Sequence, residues 1–309
     1  MIKRAIITGA TGAVGTALTD ALVKNNIEVL ILVRRGGRLE KIQKHPSIKV
    51  SFCALDEMAN ADLSEFGTFD AFFHLAWSGT YGNERNDASM QEKNIRYELD
   101  AIELAHRMGC RVFVSAGSQA ENGRLPKRAK LSADSPENPE NGYGIAKLAA
   151  GKLGRIKASQ LGIRYNRIRI LSAYGPGDGS HTMVMSTIIK LLKGERAEFT
   201  KGEQLWDFIY NDDVANAFLA VAENGKDGAV YPLGSGKVRP LREYIEIIRD
   251  TASPEAECHF GSIDYFPNQV MYLCADISKL QEDTGFTPET SFEEGIKSTV
   301  EWCRENCIN

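Results

Sequence analysis

The sequence predicts an α/β protein with a doubly wound parallel sheet and a smaller C-terminal lobe. From residue 2 to about residue 171, short runs rich in Val and Ile alternate with helical patterns, which is typical of repeated βαβ units. A different pattern of helices with short strands follows Tyr174. The chain has 309 residues, of which 43% are apolar and 25% charged, so it can bury a large core without disulfides or structural metals.

The individual elements follow from this alternation. We predict strands at 2–8, 28–33, 48–52, 71–75, 112–115 and 164–171, and helices near 13–25, 88–108 and 143–161. The polar segment 119–141, which contains Pro126, Pro136 and Pro139, cannot continue the sheet and is predicted to be a surface loop. We expect residues 1–173 to form the sheet domain and 174–309 mainly the lobe, with some lobe segments free to return to the sheet.

Charge and composition exclude several function classes. Lysine and arginine are scattered and the net charge is -4, so the chain lacks the basic stripe that nucleic-acid binding requires. The first apolar run is too short for a signal peptide, and none approaches a membrane span. We therefore expect a cytoplasmic protein without nucleic-acid or membrane partners. The six cysteines lack CxxC spacing, which favours reduced thiols and no metal site.

A glycine-rich turn follows the first predicted strand and opens the first helix. Glycines permit a tight turn and let the backbone approach a pyrophosphate, whose charge meets free amides and the positive end of the helix dipole. This context predicts dinucleotide binding and a Rossmann-type sheet. The residues expected to contact the dinucleotide here are Gly9, Thr11, Gly12, Ala13, Val14 and Gly15.

The end of the second strand bears on the choice between NAD and NADP. An NAD site usually has Asp or Glu at this end, whereas an NADP site tends to place arginine nearby for the 2′-phosphate. Here Val33 takes the acidic position and Arg34 and Arg35 follow. Because guanidinium groups suit phosphate, we predict a preference for NADP, with NAD as the alternative.

Tyr143 and Lys147 begin the helix after the long polar segment, and their i,i+4 spacing places them on one helix face. A neighbouring positive charge favours phenolate, so the pair predicts a tyrosine with a lowered pKa that acts as general acid or base. Ser118 follows the fifth predicted strand. Its hydroxyl is expected at the same sheet edge, where it could donate to a carbonyl oxygen or a developing alkoxide.

These residues together resemble the extended short-chain dehydrogenase/reductases. The resemblance rests on the glycine turn, Ser118, Tyr143-x-x-x-Lys147 and Asn94, and it continues through Tyr174-Gly175-Pro176-Gly177, the segment 207–214 and the segment 275–296. The last segments are similar to nucleotide-sugar epimerases, dehydratases and reductases.

The resemblance implies hydride transfer between nicotinamide and a sugar carbon. Tyr143 would exchange the hydroxyl proton, Lys147 would also hold the nicotinamide ribose, and Ser118 would polarise the carbonyl. A homodimer through the helices near 88–108 and 143–161 is also implied. Further cofactor contacts would come from Leu55, Leu75, Ala76, Trp77, Asn94 and Leu171, and substrate contacts from Ser78, Gln119 and Ser172.

Departures from the family pattern reduce the number of candidate activities. Gln119-Ala120 follows Ser118 where dehydratases usually have an Asp-Glu pair and epimerase-reductases tend to have Cys, so both of these activities are disfavoured. Ser172 stands where many relatives have Asn, and Trp206 where many have Arg, which puts a phosphate contact there in doubt.

Three functions remain after these exclusions. The arginine pair favours reduction of a 4-keto-deoxysugar nucleotide with exchangeable NADPH. The alternatives are a 4-epimerase that retains NAD, and a non-catalytic NADP sensor, which would be expected to lack the Tyr-Lys pair.

Overall fold

The computed structural model describes residues 1–125, 128–267 and 269–308. Its centre is a seven-stranded sheet in the order β11-β6-β5-β4-β1-β2-β3, with every neighbouring pair parallel. The strands are β1 (Arg4–Thr8), β2 (Glu28–Val33), β3 (Ile48–Phe52), β4 (Ala71–His74), β5 (Val112–Ser118), β6 (Arg164–Ile170), β7 (Ser172–Tyr174), β8 (Ala197–Phe199), β9 (Leu205–Trp206), β10 (Phe208–Tyr210), β11 (Val230–Leu233), β12 (Arg239–Pro240) and β13 (Cys258–Phe260).

Helices cover both faces of this sheet, as parallel sheets require. Helices α1 and α5 pack together, and α2 packs on α3. The helices are α1 (Ala13–Lys24), α2 (Ala88–Arg107), α3 (Gly142–Gln160), α4 (Met183–Leu192), α5 (Asn211–Asn224), α6 (Leu241–Ala252), α7 (Ser278–Thr284) and α8 (Phe292–Asn306).

Alternate residues of each strand enter separate cores on the two faces. Ile7 of β1 packs into the cluster beneath α1 and α5, whereas Ile6 packs into the cluster that contains Ile102 of α2. Both side chains are fully buried, which explains why the sheet strands read as nearly continuous apolar runs. A third cluster, which includes Tyr174, Ile188 and Ile296, forms the centre of the C-terminal lobe.

The predicted α/β fold and its elements are confirmed. The six predicted strands and three predicted helices are all present, with ends that differ by up to three residues. The largest difference is in β5, which continues to Ser118 and brings that residue to the carboxyl edge of the sheet. The seventh strand, β11, comes from the C-terminal part of the chain and pairs with β6.

The surface-loop prediction for 119–141 is wrong at the start of the segment. Residues Gln119–Glu121 form a short 3₁₀ helix, and Glu121 and Asn122 are fully buried. Arginines of β6 pair with the Glu121 carboxylate, and the Asn122 amide donates to the carbonyl oxygens of Ser135 and Pro136. Pro126 and Lys127 lie outside the described residues. No helix in the described ranges is long and apolar enough to cross a membrane.

Candidate active site

The glycine turn leaves space where a pyrophosphate would bind. A Cβ on Gly9, whose φ is +77°, would lie 2.7 Å from the amide nitrogen of Ala76, and a Cβ on Gly15 would lie 2.0 Å from the carbonyl oxygen of Gly9. Packing alone therefore requires these two glycines. Gly12 differs, because its nearest neighbour would be 3.5 Å away. Gly12 also precedes α1 without a side-chain cap, so the helix end and the open space above it fit a dinucleotide phosphate.

The end of β2 has the form that the sequence predicts. Val33 is the last residue of the strand and is buried, whereas Arg34 and Arg35 are exposed. The Arg35 guanidinium lies 5.5 Å from the centre of the Phe52 ring on the neighbouring strand. Leu55, which was also predicted to contact the cofactor, begins a short 3₁₀ helix and packs against the core. These positions fit an adenosine site in which arginines, and no carboxylate at the end of β2, lie near the ribose 2′ position.

The loop after β4 is held from behind by Asn94. Leu75, Ala76, Trp77 and Ser78 are half-buried at the sheet edge. The Ser78 amide donates to Asn94 Oδ1 and Asn94 Nδ2 donates to the Ser78 carbonyl oxygen, each at 2.9 Å. Asn94 itself is only 1% exposed and supports the loop, and its predicted contact with the cofactor stays a prediction.

Ser118, Tyr143 and Lys147 meet at the carboxyl edge of the sheet. Ser118 ends β5, and the other two lie near the start of α3, which is capped by the Asn141 side chain. The Lys147 ammonium donates to the Ala116 carbonyl oxygen at 2.7 Å. It also lies 3.8 Å from the centre of the Trp77 ring.

Trp77 and Ser118 complete this cluster around the phenol. The Trp77 and Tyr143 rings meet edge to face at 6.1 Å. The Ser118 hydroxyl lies beside the phenol and accepts a hydrogen bond from the Ala120 amide at 3.2 Å. That acceptance leaves the hydroxyl proton free for donation.

The prediction of a lowered pKa for Tyr143 is wrong for this structure. Burial raises the pKa of the phenol because a buried phenolate loses its hydration, although the Ser118 hydroxyl and the Arg85 guanidinium oppose the increase. Burial also lowers the pKa of Lys147 to about 7, with the Arg167 charge as the next cause. Because a lysine with this pKa is only partly protonated at pH 7, it provides less positive charge to the phenol than a fully protonated lysine would.

The structure contains a buried network of charged residues beneath the site, which the sequence did not lead us to predict. Arg167 contacts Glu98 at 3.1 Å and Glu121 at 2.9 Å, and Arg169 contacts Glu121 at 2.8 Å and also Glu137. The two arginines are at most 2% exposed. Their i,i+2 spacing in β6 was a usable signal, because such residues point to one sheet face and buried charges require partners.

A cavity of about 730 Å³ opens beside this cluster. Gln119 and Asn141 line one side, and Leu205 and Tyr272 line the other. Of the three predicted substrate residues, Gln119 lines the cavity, whereas Ser78 lies in the loop after β4. Ser172 begins β7 and accepts a hydrogen bond from the Trp206 indole at 2.8 Å. Leu171, predicted to contact the cofactor, links β6 to β7 and is half-buried.

Sequence comparison finds relatives that match nearly the whole chain. The chain is 26% identical over 304 residues to CDP-abequose synthase of Salmonella typhimurium, with 96% of each chain covered. It is 27% identical over 321 residues to UDP-glucuronate 4-epimerase of Thermodesulfobacterium geofontis, which covers 97% of this chain and 96% of that protein.

The fold has a close match among solved structures. The UDP-N-acetylglucosamine 4-epimerase from Methanobrevibacter ruminantium M1, in complex with UDP-N-acetylmuramic acid, matches with a TM-score of 0.88, 24% identity and 98% coverage of both chains. The model of the NAD dependent epimerase/dehydratase family matches residues 5–234. The chain therefore belongs to the NAD dependent epimerase/dehydratase family.

Proposed function

We propose that the protein is an NADP-dependent reductase that acts on a nucleotide-activated 4-keto-deoxysugar. The observation that carries this choice is the exposed Arg34–Arg35 pair beyond Val33, at the position where an NAD site would have a carboxylate. A carboxylate would repel the 2′-phosphate, whereas guanidinium groups bind it. An enzyme that uses NADPH as a consumed reductant must exchange it in every turnover, as a reductase does.

The residues of the cluster suit reduction. When bound, the nicotinamide would supply the hydride that adds to the sugar carbonyl carbon. The Ser118 hydroxyl donates a hydrogen bond to the carbonyl oxygen, and the Tyr143 phenol transfers its proton to that oxygen as negative charge develops. The raised pKa of Tyr143 keeps the phenol protonated, which is the form that a reduction needs.

Lys147 acts behind the phenol. Its ammonium is held by the Ala116 carbonyl and the Trp77 ring, and we place its remaining contact on the nicotinamide ribose. Further contacts to the dinucleotide come from the glycine turn, Leu55, the loop 75–77 and Leu171.

The cavity next to Tyr143 is the proposed site for the nucleotide sugar. Its volume of about 730 Å³ is in the usual range for small-molecule sites. Arg85 and Arg128 line it and provide cationic groups for a diphosphate. The hydrogen-bonded Ser172–Trp206 pair provides no charge there, so we place the diphosphate away from Trp206. Ser78, Gln119 and Ser172 are proposed to face the sugar.

A 4-epimerase with retained NAD is the second candidate, favoured by the similarity to UDP-glucuronate 4-epimerase over nearly the whole chain. A non-catalytic NADP sensor is disfavoured because Ser118, Tyr143 and Lys147 converge. Analysis of the nucleotide that co-purifies with the protein, followed by titration with NADPH and NADH, separates the candidates. A reductase binds NADPH more tightly and exchanges it, whereas an epimerase retains NAD at near-stoichiometric occupancy.

We also propose a homodimer through α2 and α3. Ile145, Leu153 and Ile156 of α3 are 55%, 45% and 56% exposed. Their spacing places them on one helix face, where a second copy could cover them. Sedimentation of the wild type and of Ile156→Glu tests this, since the charged side chain should produce a monomer.

A further inference from the structure

Three charged side chains form the centre of the buried network beneath the proposed catalytic residues, and Glu121 also pairs with Arg169. Glu98 of α2, Glu121 of the 3₁₀ helix and Arg167 of β6 are 0%, 0% and 2% exposed. The guanidinium lies between the two carboxylates, at 3.1 Å from Glu98 and 2.9 Å from Glu121. We call this group the buried triad. Burying ion pairs has a desolvation cost that their attraction often fails to exceed, so stability alone is a weak reason for its presence.

The buried triad is bonded to the backbone of two proposed catalytic residues. Glu121 Oε1 accepts a hydrogen bond from the Ser118 amide at 2.9 Å. Arg167 Nη2 donates to the Lys147 carbonyl oxygen at 2.6 Å. One ion pair thus connects the end of β5 to the first turns of α3, and a shift of either partner would move Ser118 relative to Lys147.

The same charges act on the Lys147 ammonium. Burial and the Arg167 charge lower its pKa, whereas the Glu98 and Glu121 charges raise it, and the resulting pKa is about 7. Two other groups near this ammonium are neutral around pH 7, since burial lowers the pKa of His74 to about 4 and raises that of Tyr143. The titratable groups around it are His74 of β4, Glu98 of α2, Glu121 of the 3₁₀ helix, Tyr143 of α3 and Arg167 of β6.

We propose that the buried triad positions Ser118 and Lys147 through these two backbone hydrogen bonds, and that its charges act on the Lys147 ammonium from beneath the site. This inference rests on the proposed function, because it takes these two residues as part of the reacting site. It also makes opposite predictions for two variants. Removing the positive charge in Arg167→Met favours the ammonium, whereas removing a negative charge in Glu121→Gln disfavours it. The glutamine retains an oxygen that can accept from the Ser118 amide.

The contact between Lys147 and Trp77 offers a direct readout without turnover. A cation 3.8 Å from the ring centre perturbs the indole, so fluorescence of the full chain, dialysed free of nucleotide, should change as Lys147 titrates. Subtracting the Trp77→Phe signal isolates this ring. We expect a midpoint near pH 7 in the wild type and no transition in Lys147→Met. Relative to wild type, the midpoint should fall by about one pH unit in Glu121→Gln and Glu98→Gln, and rise by about one unit or more in Arg167→Met.

A matched control comes from the same strand. Arg164 lies at the other end of β6 and donates to carbonyl oxygens near the end of α5, so Arg164→Met should lower stability without moving the midpoint. If Arg167→Met does not fold, the two glutamine variants carry the test. An unchanged midpoint in both glutamine variants, or an upward shift in both, overturns the inference.

Failure of the proposed function gives a different pattern. Full turnover by Lys147→Met would remove that residue from the chemistry while leaving the fluorescence shifts of the triad variants intact. Conversely, unmoved midpoints with an inactive Lys147→Met would overturn the role of the triad and leave the proposed function standing.

Discussion

The cofactor side and the substrate side of the proposed active site, here called the cofactor wall and the substrate wall, are built in different ways. The cofactor wall consists of the ends of long parallel strands and the start of α3, over a floor in which Arg167 bonds to two buried carboxylates. The substrate wall consists of loops and of Leu205 in the two-residue strand β9, which are joined by single bridges, Leu131 to Ala275 and Leu205 to Tyr272. We infer that the cofactor wall determines the reaction and that the substrate wall determines which sugar nucleotide binds.

The largest expected effect on turnover comes from a substitution in the cofactor wall. Tyr143→Phe removes the proton donor and little else, because the phenol ring retains its contact with Trp77. We expect turnover to fall by roughly 10²- to 10⁴-fold with nearly unchanged dinucleotide affinity. Parallel measurement of kcat and of cofactor binding by fluorescence checks this, and near wild-type turnover would remove Tyr143 from the mechanism.

Ser118→Ala should have the next largest effect. Loss of one donor to a developing charge costs roughly 10²- to 10³-fold in rate. The Ser118 hydroxyl also accepts from the Ala120 amide, so loss of this bond could lower stability by about 1 kcal/mol. Turnover per folded molecule and the melting temperature should be measured on one preparation. A stability loss without a rate loss would assign Ser118 to capping alone.

Replacing Arg34 and Arg35 with alanine tests the adenosine end of the same wall. Hydrogen bonds to charged groups contribute about 1.5 to 3 kcal/mol, so NADPH affinity should fall by roughly 10- to 100-fold while NADH affinity changes little. Arg196→Ala, which changes an exposed arginine of the lobe, serves as the control. Equal affinity of the unmodified protein for both cofactors would contradict the NADP assignment and favour the epimerase.

The smallest kinetic effect is expected from a substitution in the substrate wall. Ser172→Ala removes the hydroxyl that accepts from the Trp206 indole, a neutral hydrogen bond with a net contribution of about 1 kcal/mol. We expect KM for the nucleotide sugar to rise by several-fold with unchanged kcat. Steady-state kinetics measures both constants, and a large fall in kcat would show that the substrate wall takes part in the chemistry.

The sequence predicts one wall much better than the other. Apolar runs, the glycine turn and the Tyr143–Lys147 spacing are local patterns, so they identify the strands and α3 directly. The lowered pKa predicted for Tyr143 was wrong because burial depends on packing around the whole phenol, which no local pattern contains. The network of Arg167 joins residues 46 and 69 positions apart. The cavity similarly requires Leu205 and Tyr272 to meet through tertiary contacts.

The stoichiometry of NADPH in a reaction with a nucleotide-activated 4-keto-deoxysugar tests the proposed reductase most directly. Absorbance of NADPH and chromatography of the sugar nucleotide should be followed in the same sample. We expect one NADPH to disappear for each reduced sugar formed, over many turnovers of each enzyme molecule. Interconversion of 4-epimers of a nucleotide sugar by enzyme with retained NAD, without any net consumption of NADPH, would contradict it.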